Sequence, residues 1–155
     1  MEPRASTPEK RLEAIRLLSA AGIPTGIMAA PMIPAINDME MERILDAGAA
    51  QGAGTAGMVL LRLPGEVREI FREWLLRYYP DRVRHVMSLV RDTRGGKDYN
   101  SAWGERMVGE GAYATLMQQR MAKAKERFGL DKKFPALRTD LFTPPRVEDG
   151  QMSLF

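Results

Sequence analysis

The side chains able to do chemistry fall in four places. Arg4 stands just ahead of a helix-start signal, Ser6-Thr7-Pro8-Glu9. A guanidinium there can hold a carboxylate with two parallel hydrogen bonds, and the helix start adds free N–H groups and the positive end of the helix dipole. Its plainer use is a surface pair with Glu2. Asn37 follows an apolar run and precedes Asp38. Its amide can read a ribose hydroxyl or an adenine edge, or it can simply turn the chain. Arg62 closes a second apolar run. A charge in that position must reach a site mouth or find a counter-charge, because unpaired burial is costly. Between residues 91 and 106, Arg91, Arg94, Lys97 and Arg106 are interleaved with Tyr99 and Trp103 among glycines. Basic groups bind phosphates and aromatic rings stack unpaired bases, although a solvated loop anchored by its Trp has the same composition.

Other chemistry is excluded. The 155 residues contain no cysteine, so they cannot supply a disulfide, a catalytic thiol or a cysteine-held zinc or iron–sulfur site. The lone histidine, His85, has no nucleophile-elbow sequence to serve and reads as an ordinary helix residue. No two carboxylates are placed for acid–base work. Gly48-x-x-x-Gly52-x-Gly54 precedes a strand instead of leading from one into a helix, so a dinucleotide-binding reading fails on context. No catalytic residue and no metal ligand is therefore assigned within this chain.

The elements that must position these groups follow from spacing. Leu12, Ile15 and Leu18 sit at helical intervals after either a Ser6–Glu9 capping box or a Thr7 cap with Pro8 in the first turn. Gly22 and Pro24 end that helix. Thr25 to Ile33 is a short apolar run without polar alternation, the pattern of a parallel strand covered on both faces. Pro31 and Pro34 turn its end into a loop, and Asp38 is placed to cap a helix reaching about Ala50. Thr55 to Leu63 is a second such strand. Beyond it the spacing predicts helices: Val67, Ile70, Phe71, Trp74, Leu75 and Tyr78 form one stripe, and Val83, Val86, Met87 and Val90 another. A glycine-rich loop over 94–109 leads to a last helix marked by Tyr113, Leu116, Met117, Arg120, Ala124 and Phe128. From Asp131 the chain is polar and proline-bearing, and is expected to be extended or disordered.

Two parallel strands with flanking helices do not complete a sheet. The expectation is an α/β chain holding part of a (β/α) barrel over residues 1–64, a helical C-terminal extension over 65–130 and a tail over 131–155. Charge divides similarly. Residues 1–61 carry five basic and seven acidic side chains, residues 62–155 eighteen and thirteen. A basic second half suits a polyanion. No run is long enough to span a membrane and the N-terminus lacks a signal-peptide pattern, so a cytoplasmic setting is expected.

Several motifs occur in an order that resembles a known family. They are residues 2–15 with Ala20-Ala21-Gly22-Ile23-Pro24, then Ala30-Pro31-Met32-Ile33-Pro34 with Asn37-Asp38, then Leu60-Leu61-Arg62-Leu63-Pro64. Arg94-Gly95-Gly96-Lys97, Gly104-Glu105-Arg106-Met107 and Gly109-Glu110-Gly111 follow. Together they resemble the second half of a radical S-adenosylmethionine (SAM) protein of the group similar to spore photoproduct lyase, also called DNA repair photolyase-like. The resemblance implies a partial (β/α)6 barrel in which a [4Fe-4S] cluster on three cysteines cleaves SAM to a 5′-deoxyadenosyl radical. This chain departs at the decisive point, having no cysteine. By the resemblance it supplies later strands and SAM-facing loops to a parent whose missing N-terminal half of the barrel carries the cluster, and it is inactive alone. Arg4, Asn37 and Arg62 are then candidates to hold SAM, and the Leu63 backbone to meet adenine. Arg94, Lys97, Tyr99, Trp103 and Arg106 are candidates for a nucleic-acid substrate.

The last five residues, Gln151-Met152-Ser153-Leu154-Phe155, resemble the peptide by which bacterial proteins bind the sliding clamp, with Met152 in place of the usual leucine. Gln151, Met152, Leu154 and Phe155 are the expected contacts. A second reading follows: a non-catalytic nucleic-acid-binding module tethered to the clamp by this tail.

Overall fold

A computed structural model describes residues 4–99, 105–133, 136 and 139–143, with the backbone alone for Glu105 and Arg106. The chain is α/β, and its two strands are parallel. Helix α1 (Pro8–Ala20) starts at Thr7, whose hydroxyl accepts from the Lys10 amide, so the Thr7–Pro8 alternative holds. It stops at Gly22, whose φ of 75° suits a residue without a Cβ.

Strand β1 (Gly26–Met32) continues through Pro31 instead of ending there, and its register with β2 (Thr55–Leu60) shifts between Ala29 and Met32. The second strand ends three residues before the expected Leu63. Between them a single 3-10 turn (Asp38–Glu40) leads into α2 (Met41–Ala50). Asp38 does not cap α2, which begins at Met41 with no side-chain cap; the Tyr113 hydroxyl donates to the Asp38 carboxylate instead. A Cβ at Gly48 would collide with the Ile27 side chain, so this glycine lets α2 lie close on β1.

The remainder is helical: α3 (Val67–Tyr78), α4 (Val83–Asp92), the one-turn α5 (Glu105–Val108) inside the expected loop, and α6 (Gly111–Phe128). Helix α6 returns to the sheet. Ala114, Met117 and Met121 pack with Ala29 and Leu60 of the strands and Met41 and Leu45 of α2. The division at residue 64 therefore cuts the chain but not this core. Paired residues of parallel strands share a face, so Ile27, Ala29, Ala56 and Met58 look toward α2 and α6, whereas Met28 and Gly57 look away. Met28 is 64% exposed. After α6, Asp131 makes an antiparallel bridge to Thr55. The tail from residue 144 onward lies outside the described residues.

A second core joins Ile33, Leu61 and Leu63 to α3 and α4. The α4 stripe is buried as expected, with Val86, Met87 and Val90 inside. The α3 stripe is only partly core. Phe71 and Leu75 are buried and Trp74 is half-buried against Phe71 and Tyr79, but Val67, Ile70 and Tyr78 are exposed. Leu75→Ala should therefore cost about 2–5 kcal/mol in urea unfolding, whereas Ile70→Ala should stay within about 0.5 kcal/mol. Equal losses would show that α3 buries a wider face.

Candidate functional site

Parallel strands place their C-terminal ends together, and in barrels the loops leaving those ends carry the chemistry. Here those loops are residues 33–38 after β1 and 61–64 after β2, tied where the Leu61 amide donates to the Met32 carbonyl.

The first loop is held from within by Asn37. Its Oδ1 accepts from the Ile33 amide at 2.7 Å and its Nδ2 donates to the Pro31 carbonyl at 3.1 Å. Both ends of the amide thus shape the loop, leaving one N–H and one Oδ1 lone pair for anything bound there. Ala35 takes a positive φ of 58°, rare for a residue with a Cβ. The Arg82 guanidinium fixes it by donating to the Ala35 carbonyl at 3.2 Å.

Helix α6 grips the same loop from outside. Arg120 makes two bonds to the Glu42 carboxylate, at 2.7 and 2.8 Å, and one to the Asp38 carbonyl at 2.9 Å. The Arg120 bonds hold the Glu42 carboxyl below its ordinary range. Burial first, and then the bond to Asp38, push the Tyr113 hydroxyl well up, so it stays protonated and donating.

Two arginines meet at the end of β2. Arg94, at the end of α4, is 1% exposed and donates from Nη2 to the carbonyls of Leu60 and Leu61 at 3.2 and 2.8 Å. Sequence reasoning offers it to a substrate at the surface; the structure places it inside, where strand-end carbonyls need a donor. Desolvation and the nearby charge of Arg62 lower its pKa. Arg62 is half-buried. Its Nη2 donates to the Tyr99 hydroxyl at 3.2 Å, its Nη1 approaches the Met107 sulfur at 3.4 Å, and its guanidinium lies 5.9 Å from the Tyr99 ring centre. Its Nε is buried and has no partner among the described residues. Leu63 is buried in the second core.

The other sequence candidates scatter. Arg4 is exposed ahead of α1. Lys97 and Tyr99 line a cleft of about 630 Å³ beside Leu63. Trp103, Gln151, Met152, Leu154 and Phe155 lie outside the described residues, as does the side chain of Arg106. Nothing in the sequence marks Tyr113, Arg120 and Glu42 as supports of the loop; Tyr113 and Arg120 fall on the α6 stripe, which signals packing and not which loop is gripped. Among the described residues no group of His, Asp or Glu side chains could hold a metal ion, and no helix is long and apolar enough to cross a membrane.

No family model and no solved structure matches the chain. It is similar to proteins of Mycobacterium bovis and of two Mycobacterium tuberculosis strains, each named only as uncharacterized. In each case the identity is 33% over 93 residues, covering 59% of this chain and 27% of the relative. The matched part thus spans about a quarter of the length of these relatives.

The Arg120 clamp has a pH signature. A lowered carboxyl pKa adds stability above the unfolded value, near ~4.3, and that stability is lost as pH falls through the folded value. Allowing for solvent at a partly exposed carboxylate, Arg120→Ala should cost about 1 kcal/mol near neutrality. The gap between wild type and variant should narrow in urea melts as pH falls below the unfolded carboxyl value, toward the part carried by the Asp38 carbonyl bond. An unchanged gap at lower pH would place the loss in packing instead.

Proposed function

We propose that this chain is the C-terminal part of a radical SAM enzyme resembling spore photoproduct lyase. Its two strands would be late strands of an incomplete (β/α) barrel, and its strand-end loops would face SAM. The observation that carries the reading is the one-sided sheet. Helices cover one face, as on the outside of a barrel, while Met28 and Gly57 line a bare face, as toward a barrel interior. The longer mycobacterial relatives agree with a larger parent.

The cluster does not fit this chain, which has no cysteine to hold it. SAM fits better. The buried, unpartnered Nε of Arg62 at the strand end is a donor that a carboxylate or ribose oxygen would satisfy. Arg62 would hold that oxygen, with Asn37 and the Leu63 backbone toward the nucleoside and Arg4 toward the carboxylate. SAM bound there would supply the adenosyl group of the parent's reaction; this chain's part would be to bind and orient it.

Sequencing the gene upstream of Met1 should reveal an in-frame CxxxCxxC-type cluster. In the longer product, Arg62→Ala should weaken SAM binding roughly tenfold by calorimetry, the size of one charged hydrogen bond removed. An upstream frame without those cysteines, or unchanged SAM affinity, would defeat the proposal.

A further inference from the structure

A cleft of about 290 Å³ lies at the N-terminal ends of the two strands, away from the loops assigned to SAM. Three stretches of chain remote in sequence meet there: the turn after α1, the start of β2 and the residues after α6. Backbone bonds join them. The Gly54 amide donates to the Thr25 carbonyl at 3.0 Å, and the Lys132 amide donates to the Gly54 carbonyl at 3.1 Å. The Ser19 hydroxyl donates to the Gly52 carbonyl at 3.1 Å. The walls are therefore ordered before any ligand arrives.

The cleft carries two positive charges and no negative one. Lys132 and Lys133 line it, no carboxylate does, and neither lysine makes an ion pair among the described residues. Asp131 meets Thr55 through a backbone bridge, and its side chain is not part of the lining. The cleft beside Leu63 differs, since Asp98 lines it and already pairs with Arg91. Lys132 is seated along its stem. A Cβ on Gly54 would stand 3.3 Å from the Lys132 Cδ, so the glycine leaves room for that chain against the wall. Gly54 closes the Gly48-x-x-x-Gly52-x-Gly54 pattern, and this close approach gives it a use that no dinucleotide loop supplies. Thr25 adds an independent observation. Its Oγ1 is buried without a partner among the described residues, and a buried hydroxyl normally has one.

We propose that this cleft binds a single phosphoryl group, free or on a small molecule, with Lys132 and Lys133 neutralising it and the Thr25 hydroxyl donating to one of its oxygens. Two ammonium groups match the two negative charges that a phosphoryl group carries above its second pKa, near ~6. A carboxylate would leave one lysine unmatched. Ammonium groups are point charges with three rotatable donors, which suits a tetrahedral group with oxygens in several directions. The cleft is at the small end of ligand sites, which run from about 300 to 1,000 Å³, so the bound molecule is small. Barrels keep their chemistry at the other strand ends. A phosphoryl group held here would instead tie the end of α1, the start of β2 and the residues after α6 together, and its effect would fall on stability. The proposal is independent of the SAM reading.

The test titrates the full chain with inorganic phosphate and with glycerol 3-phosphate by calorimetry, near pH ~8 where both are dianions and the lysines stay charged. Saturable one-to-one binding is expected, with Tm raised by roughly 3–6 °C at ten times Kd. Tighter binding of glycerol 3-phosphate would identify the ligand as a phosphomonoester, and tighter binding of phosphate would identify it as the free ion. Lys132→Gln/Lys133→Gln changes only exposed side chains, so its circular dichroism should match wild type while its affinity falls at least roughly tenfold. Thr25→Val should lower affinity roughly tenfold and leave the ligand-free Tm unchanged or higher, because it removes an unpaired buried hydroxyl. Thr25→Ser should bind as wild type does. No saturable binding by wild type, or equal binding by the double lysine variant, would overturn the proposal. So would equal affinity for acetate, which would mark a site for any anion.

Discussion

A two-stranded parallel sheet cannot keep its backbone dry by itself, and the rest of this structure is organised by how one of its faces is covered. Helix α2, the crossover, covers part of that face, and α6 closes over the remainder from more than 50 residues downstream. The fit is close because the facing residues are small or adaptable. Ala29 and Ala56 lie on the strands, Gly48 lies on α2, and Ala114, Met117 and Met121 lie on α6. Methionines fill irregular gaps of this kind well. With α6 seated, Tyr113 and Arg120 reach the loop after β1, and the loop is fastened by residues remote in sequence.

That fastening has a consequence for the strand ends. The 33–38 loop is held by Asn37 from within, by Arg82 from the α4 side and by Arg120 and Tyr113 from α6. A loop with so many independent ties can keep Ala35 in its left-handed conformation, since the surroundings over-determine it. Rigidity of this sort suits a binding loop, where groups ordered before a ligand arrives cost no further ordering when it does.

Much of the fold is legible from spacing, because a helix or strand declares its period locally. Thr7-Pro8 and Gly22 bracket α1, and Val86, Met87 and Val90 of the α4 stripe are core, with Val83 packed against them half-buried. What spacing cannot say is what lies opposite. Val67, Ile70 and Tyr78 share the α3 period with Phe71 and Leu75, yet only the last two meet α4. Asp38 has the residue type and place of a cap, but a tyrosine 75 residues away claims its carboxylate. Arg94 sits among glycines in a segment with every mark of a surface loop. Nothing local reveals that the carbonyls of Leu60 and Leu61 need its protons. The cleft between α3 and α4 is illegible for the converse reason. On each helix alone its arginines form an ordinary solvated face, and only the pairing of α3 with α4 makes them the walls of one channel.

The two cationic regions differ in physical kind. At the strand end, Arg94 is desolvated and held by carbonyl dipoles, and Arg62 stands close enough to lower its pKa. Two guanidiniums in a low-dielectric setting repel, so their arrangement is most stable when something anionic or strongly accepting lies near. Glu110 and the Tyr99 oxygen act on Arg94 in that sense. Such a site is shielded from salt and selective in geometry. Between α3 and α4 the charges are exposed and their carboxylate partners divided, so attraction there is long-ranged and screened by salt. Tyr99 accepts from Arg62 and also lines the cleft beside Lys97.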